Sequence, residues 1–327
     1  MSAPATADGV WQWRPPEPAF ARQTAWLIRL DGEDCRRFLH GQTSAAVETA
    51  RPGQWIPSCC ITPTGRMRAL AEVLVDGEGA WLVISGGDGA AVHRALDQVL
   101  FPADRVRLGP PQPCWWLMPV AGPAESLRSE TATADWRPLP AEGGWQLGEG
   151  RLGQALVLPN DGSPLPEDWA VRRPLTATEL EHWRLQQGLP AAPAELNDDH
   201  NPFELGLATR VSLSKGCYVG QETLAKLATY DGVKQQLRRW HWQAAPGERP
   251  PRAGDGLEGE GGQRLGRITS MLELADGDRI GLAMVRRQAL ALDALQAAEA
   301  EGAGAARVTL SLPERFAPPP GRPGQGS

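Results

Sequence analysis

From Gln54 to Ser85 the chain reads as three short strands joined by two tight turns, and this run limits the fold more than any other. A strand reaching Ile61 is followed by the turn Thr62-Pro63-Thr64-Gly65, a strand from Met67 to Val75, a turn at Asp76-Gly77 and a strand from Ala80 to Ser85. Asp88 can then cap a helix whose Val92, Ala95, Leu96 and Val99 fall at helical spacing. Antiparallel strands with a covering helix define an α+β unit.

The flanks extend this pattern. Trp26 to Leu30 reads as a strand, and Asp31-Gly32-Glu33-Asp34 opens a short helix that carries Cys35, Phe38 and Leu39 on one face and is stopped by Gly41. The stretch from Gly109 to Pro140 is loop-rich around a strand-like piece at Trp115 to Met118, with another at Gly153 to Leu158. Thr176-Ala177-Thr178-Glu179 has the capping-box pattern and predicts a helix with Leu180 and Trp183, stopped by Gly188 and Pro190. Asn197 to Gly220 reads as a long structured loop, and Glu222 to Tyr230 as a short helix. Beyond Lys234 the chain turns to strands at Leu237 to Trp242, Gly266 to Leu274, Arg279 to Arg287 and Arg307 to Leu312, a small antiparallel β-domain. The Ala-rich Ala289 to Ala306 is either helical or a loose insertion. Ala317 to Ser327 is a Pro/Gly tail unable to bury a core.

A chain of 327 residues with 41% apolar residues is long for one compact domain, so two or three are expected. No signal peptide and no long uninterrupted apolar span is evident, which predicts a soluble, cytoplasmic protein without membrane contact. The five cysteines form no CxxC pair, which argues against both a disulfide framework and a zinc site. Net charge is −6, so no global positive field recruits nucleic acid. Asp198-Asp199-His200 with Glu204 reads as solvated loop polarity, and no metal site is expected. Cys59 and Cys60 are adjacent on a strand and point to opposite faces, which suits core packing. Lys234, Arg238, Arg239 and His241, interleaved with Trp240 and Trp242, read as a solvated strand face, with an RNA or partner surface as the alternative.

One segment stands apart: Lys215-Gly216-Cys217-Tyr218-Val219-Gly220-Gln221-Glu222. Glycines around a Cys-Tyr pair place the thiol on a tight loop, and a helix begins just after it. A lysine and a helix N-terminus both favour the thiolate, so Cys217 is a candidate reactive or metal-ligating thiol with Lys215 as its charged neighbour. The competing reading is a buried structural cysteine.

This octapeptide resembles the signature of the YgfZ-type folate-binding family, relatives of a mitochondrial iron–sulfur assembly factor and more distantly of the glycine-cleavage T-protein. Val211-Ser212-Leu213-Ser214 before it, and Tyr230, Gly232 and Lys234 after it, are similar to the family's flanking segments. So are Gly32-Glu33-Asp34, Phe38-Leu39-His40-Gly41-Gln42, Pro63-Thr64-Gly65-Arg66-Met67 and Gly266-Arg267-Ile268-Thr269-Ser270, giving coverage from about Trp26 to Leu312. The resemblance implies a three-domain ring around a central folate pocket: two α+β domains and a C-terminal antiparallel β-barrel. Residues 1–52 and 161–233 would form a discontinuous folate-binding first domain, 53–160 a second α+β domain, 234–313 the barrel and 314–327 a flexible tail.

The resemblance further implies tetrahydrofolate as cofactor. Trp26 and Trp183 would be pterin-stacking aromatics, with Tyr218, Gln221 and Glu222 nearby. It implies transient work on iron–sulfur proteins or their assembly machinery, through which enzymes such as tRNA-modifying ones are supported. The acidic balance disfavours direct contact with tRNA. Two departures bear on activity. After Thr43-Ser44 the chain has Ala45-Ala46-Val47 where the family often has an Asp. Arg68-Ala69-Leu70 stands where true aminomethyltransferases carry an acidic pair, so folate-dependent aminomethyl transfer loses its acid–base group. A one-carbon transferase using Glu204 or Glu222 instead is the alternative reading.

Overall fold

The computed structural model describes residues 9–122, 135–297 and 306–320. Its larger part is a ten-stranded sheet, and its C-terminal part a closed antiparallel barrel. The elements are β1 (Ala19–Asp31), α1 (Cys35–Gln42), β2 (Trp55–Ile61), β3 (Met67–Val75), β4 (Gly79–Gly87), α2 (Gly89–Asp97), β5 (Arg107–Leu108) and β6 (Gln112–Val120). Then come β7 (Trp136–Leu139), β8 (Gly144–Leu147), β9 (Ala155–Pro159), α3 (Glu167–Ala170), β10 (Arg173–Pro174), α4 (Ala177–Gln187) and α5 (Gln221–Thr229). The barrel is β11 (Gln235–Trp242), β12 (Gly256–Glu258), β13 (Arg264–Glu273), β14 (Arg279–Arg286), β15 (Ala294–Ala297) and β16 (Ala306–Ser311). This is the α+β architecture with a terminal barrel that the sequence led us to expect. Among the described residues no helix is long and apolar enough to cross a membrane.

The sheet runs β2-β3-β4-β1-β6-β9-β8-β7, with β5 and β10 also paired to β1. Strand β1 is its hub. Its C-terminal part pairs antiparallel with β4 (Trp26 opposite Ile84) and its N-terminal part with β6 (Ala21 opposite Met118). The domain boundaries expected at 52/53 and 160/161 therefore separate strands that the structure joins in one sheet. The reason is the length of β1, which was read as only its last residues and is long enough to serve both halves.

Local chemistry fixes the helices as the pattern implied. Asp88 Oδ1 accepts from the amides of Ala90 and Ala91 at the start of α2. Thr176 and Glu179 form a reciprocal capping box on α4. Arg173 donates to the Glu179 carboxylate and holds its pKa down at about 2.

Two loop-rich assignments are corrected. Trp136–Leu139 and Gly144–Leu147 pair as a hairpin at the sheet edge, where Trp145 packs against Trp81 and Trp136 Nε1 donates to Val75 O. In the Ala-rich stretch, Ala294–Ala297 is a barrel strand paired with β16, while 298–305 lie outside the described residues.

The tail beginning at 314 is also not free where it is described. Arg315 N donates to Gln187 O, Ala317 N donates to Gly206 O, and Phe316 packs on the apolar cluster that includes Leu205 and Leu237. Gly206 makes this possible: a Cβ there would lie 2.3 Å from the Phe316 ring. One aromatic ring supplies the burial that composition denied to the segment as a whole.

Candidate functional site

Strand periodicity builds the main cavity. Trp55 and Pro57 of β2, Leu70 and Glu72 of β3, and Trp116 and Met118 of β6 are pairs two residues apart, so each pair presents side chains on one face. With Gln23 and Thr24 of β1 they line a cavity of about 1070 Å³. The opposite side comes from Arg184 and the turn after α4 (188–192), from 205–207 with Thr209 and Arg210, and from Arg315 of the docked C-terminal segment. Trp55, Trp116 and Met118 supply apolar walls, and the arginines and Glu72 the polar ones.

Glu72 is fully buried and fully engaged. Its carboxylate accepts from Trp55 Nε1 at 2.8 Å, Ser85 Oγ at 3.0 Å and Arg210 Nη1 at 2.9 Å. Arg210 Nη1 also donates to Ser58 O and Ala71 O. Burial works against the Arg210 charge, but Glu72 outweighs it and the pKa is raised. Every hydrogen bond that Arg210 makes to the protein through its guanidinium uses Nη1, so its other nitrogens are available to a ligand.

Arg184 is held differently. It donates to both oxygens of Glu181 at 2.6 and 2.7 Å, to Leu189 O at 2.8 Å, and lies 3.4 Å from Glu195. Glu195, also fully buried, accepts from Ala191 N and from Ser270 Oγ of β13 at 2.6 Å. The barrel is thereby tied to the cavity wall.

The motif segment lies elsewhere. Lys215 is buried, and its ammonium donates to the carbonyls of His40, Thr43 (2.6 Å) and Ala45 (2.7 Å), all at the C-terminal end of α1 or just beyond it. Three acceptors suit three N–H groups, while burial pushes the Lys215 pKa down to about 7. Its Nζ also stands 4.2 Å from the Tyr218 ring centroid, and Gln221 Nε2 donates to Lys215 O at 3.4 Å. Val219 N donates to Gly41 O, so α1 and the motif loop are stitched together. Gly220 adopts φ +79°, and a Cβ there would lie 2.7 Å from Thr62 O, which explains why the loop needs glycine before α5.

Among the sequence-derived candidates, the structure brings Lys215, Tyr218 and Gln221 together. Cys217 is exposed beside them, while Cys35, Cys59, Cys60 and Cys114 are buried. Glu222 is exposed and paired with Lys226 at 2.5 Å. Trp26 packs against the core under α2, where the Gly89 position abuts its ring. Trp183 is buried in the cluster that contains the wall residues Trp55, Trp116 and Met118 and does not itself line the cavity. None of these seven residues lines the cavity. The thiol is exposed outside the cavity lining, and Lys215, two positions before it, is engaged by backbone carbonyls.

The wall residues Trp55, Glu72, Trp116, Arg210 and Arg315 were not singled out from the sequence. No local motif announces Glu72 and Arg210, which meet across 138 positions. Among the described residues no three His, Cys, Asp or Glu side chains converge to hold a metal ion. Glu204 is buried, accepts from Asn201 N and lies outside the cavity lining.

No family model matches the chain. A chloroplastic relative from Arabidopsis thaliana, named as a proposed transferase, is 28% identical over 287 residues, covering 81% of this chain and 64% of its own length. The chain thus spans just under two thirds of that relative. The tRNA-modifying protein YgfZ of Yersinia pestis is 27% identical over 278 residues, covering 77% of this chain and 79% of its own. Among solved structures, the glycine cleavage system aminomethyltransferase T from Bartonella henselae superposes with a TM-score of 0.72 at 17% identity, over 97% of this chain and 92% of that one. Sheet and barrel together have the fold of that aminomethyltransferase. Within that fold, the likeness to YgfZ extends over most of the length of both chains and includes the stretch that carries the KGCYVGQE loop.

Proposed function

We propose that the chain is a cytoplasmic tetrahydrofolate-binding accessory protein that supports iron–sulfur enzymes, including those that modify tRNA, and that Cys217 is its working thiol. The observation that carries the folate half is the cavity. Flat apolar walls at Trp55 and Trp116, with the donors of Arg210 beside them, match the needs of a pterin, a flat π-system with a polar edge. The volume of about 1070 Å³ accommodates a pteroylglutamate. Trp183 backs the wall tryptophans and holds their geometry, and Trp26 steadies the strand that carries Gln23 and Thr24.

Cys217 supplies the second half. A single thiolate cannot hold a [4Fe–4S] cluster, so an exposed cysteine on a braced loop acts by transient ligation of a partner's cluster. Lys215, Tyr218 and Gln221 build the brace, and Glu222 with Lys226 borders it. Calorimetric titration of the chain with tetrahydrofolate tests the first half, and the absence of binding would remove it. Complementation of a deletion strain by Cys217→Ser, read as activity of cluster-dependent tRNA-modifying enzymes, tests the second, and full rescue would end it.

The Arabidopsis relative is named a transferase, and with a folate in the cavity the second reading is a one-carbon transferase. Leu70 lines the cavity where an acid–base residue would be wanted, Glu204 lies outside it, and Glu222 is on the surface. Glu72 is within reach but engaged by three donors. Incubation with tetrahydrofolate and an aminomethyl donor should leave the folate unchanged by mass spectrometry, and methylene-tetrahydrofolate would establish the transferase instead.

A further inference from the structure

The cations of the cavity are not equivalent. Arg151 is paired with Asp168, Arg184 with Glu181 and Glu195, and Arg210 with Glu72. Arg315 alone among these four has no hydrogen bond or ion pair from its guanidinium to another side chain among the described residues. Its backbone is nonetheless fixed: Arg315 N binds Gln187 O, Phe316 fills the space left by Gly206, and the bridge of Leu207 with Ala317 closes the segment down. The chain after the barrel is thus anchored on both sides of a guanidinium that projects into the cavity's solvent. The neighbouring carboxylate of Glu314 is turned to Gln187 Nε2 at 2.7 Å.

A fixed guanidinium with no side-chain partner among the described residues, lining the same cavity as a second one with free nitrogens, suits an anion. Partial desolvation by the cavity wall lowers the Arg315 pKa, Glu314 opposes this, and Arg210 lowers it further. The two cations therefore lie close enough to repel, and a carboxylate between them would relieve both. Glu72 answers the charge of Arg210, and Arg315 has no carboxylate bonded to its guanidinium among the described residues.

We propose that Arg315, with Arg210, binds the carboxylates of the ligand, so that the C-terminal segment selects folates by their glutamate tail. This rests on the folate reading and adds to it the end of the ligand that the segment meets. A carboxylate chain would enter beside Arg315 and leave the flat ring for the tryptophan walls. The Arg315 contact is distinct from ring binding, and ligands lacking the tail would not register it.

Titration of the full chain and of Arg315→Gln with tetrahydrofolate, its triglutamate form and pteroic acid decides the matter. Arg315→Gln should weaken both glutamate-bearing ligands by about tenfold and leave pteroic acid within about twofold, with Arg315→Lys recovering part of the loss. Equal losses for all three ligands would show a structural role and overturn the proposal, as would no loss for any. A wild-type chain that binds none of the three removes the folate reading. The receptor is then judged with triglutamate alone: a rise in melting temperature for the wild type and not for Arg315→Gln keeps it, and equal behaviour ends it.

Discussion

The motif loop and the cavity differ in how they are made and in what they show of themselves. The loop is local: eight consecutive residues, two glycines, and a lysine pinned to the end of α1. The cavity is dispersed, with walls drawn from β1, β2, β3, β4, β6, the turn after α4 and the C-terminal segment. Its central ion pair joins Arg210 to a buried carboxylate that two further donors support, Trp55 Nε1 and Ser85 Oγ, whereas the loop offers one exposed thiol on a braced turn. A function that needs both must keep an enclosed ligand site and an outward-facing reactive atom in one rigid frame. α1 provides the link, since its C-terminal end holds the loop while Ser44, a little beyond it, bonds Arg210 O at 2.6 Å.

The contrast is broken most severely at Glu72. Glu72→Ala leaves Arg210 buried without its counter-charge and should cost about 3 to 5 kcal/mol in chemical denaturation, together with loss of ligand binding. Lys215→Met strands three carbonyls and should cost about 2 to 3 kcal/mol. Retained stability with lost function would instead make Lys215 chemical. The pH dependence carries a second signature. The unfolded chain keeps the Lys215 proton up to its ordinary 10.5 and the folded chain only to about 7, so this residue makes stability rise with pH between those values, and Lys215→Met should flatten that rise.

Trp116→Ala and Trp183→Ala sharpen the comparison inside the cavity. The first should weaken folate binding by about 1 to 3 kcal/mol as a lost wall, measured by titration. The second should appear mainly as lost stability, and the reverse pattern would return the stacking role to Trp183. Cys217→Ser should change stability by no more than about 0.5 kcal/mol, because the side chain is exposed. Reduced activity of cluster enzymes at unchanged stability separates a working thiol from a packing one.

Most elements were legible because their signals are local. The turn at Thr62 to Gly65, the cap at Asp88 and the capping box at Thr176 each sit where the pattern put them. The edge hairpin of β7 and β8 was hidden among prolines and glycines, and its pairing draws on Trp145 packing against the distant Trp81. The site was less legible than the fold. The resemblance points to Trp183 on a capped helix, whereas Trp55 and Trp116, which line the cavity, are strand positions with no local motif to mark them. Arg315 was lost in a segment whose composition looks disordered, since one phenylalanine seated over one glycine leaves almost no compositional trace.

Strand β1 has a consequence for how the molecule comes into being. It leaves the ribosome before its partners, which arrive in succession: first β4, then β6, and finally β10, where Phe20 meets Pro174. Until then a largely buried strand must wait with open edges. A topology so rich in distant pairings folds slowly, and its nascent chain is a natural client of chaperones during synthesis.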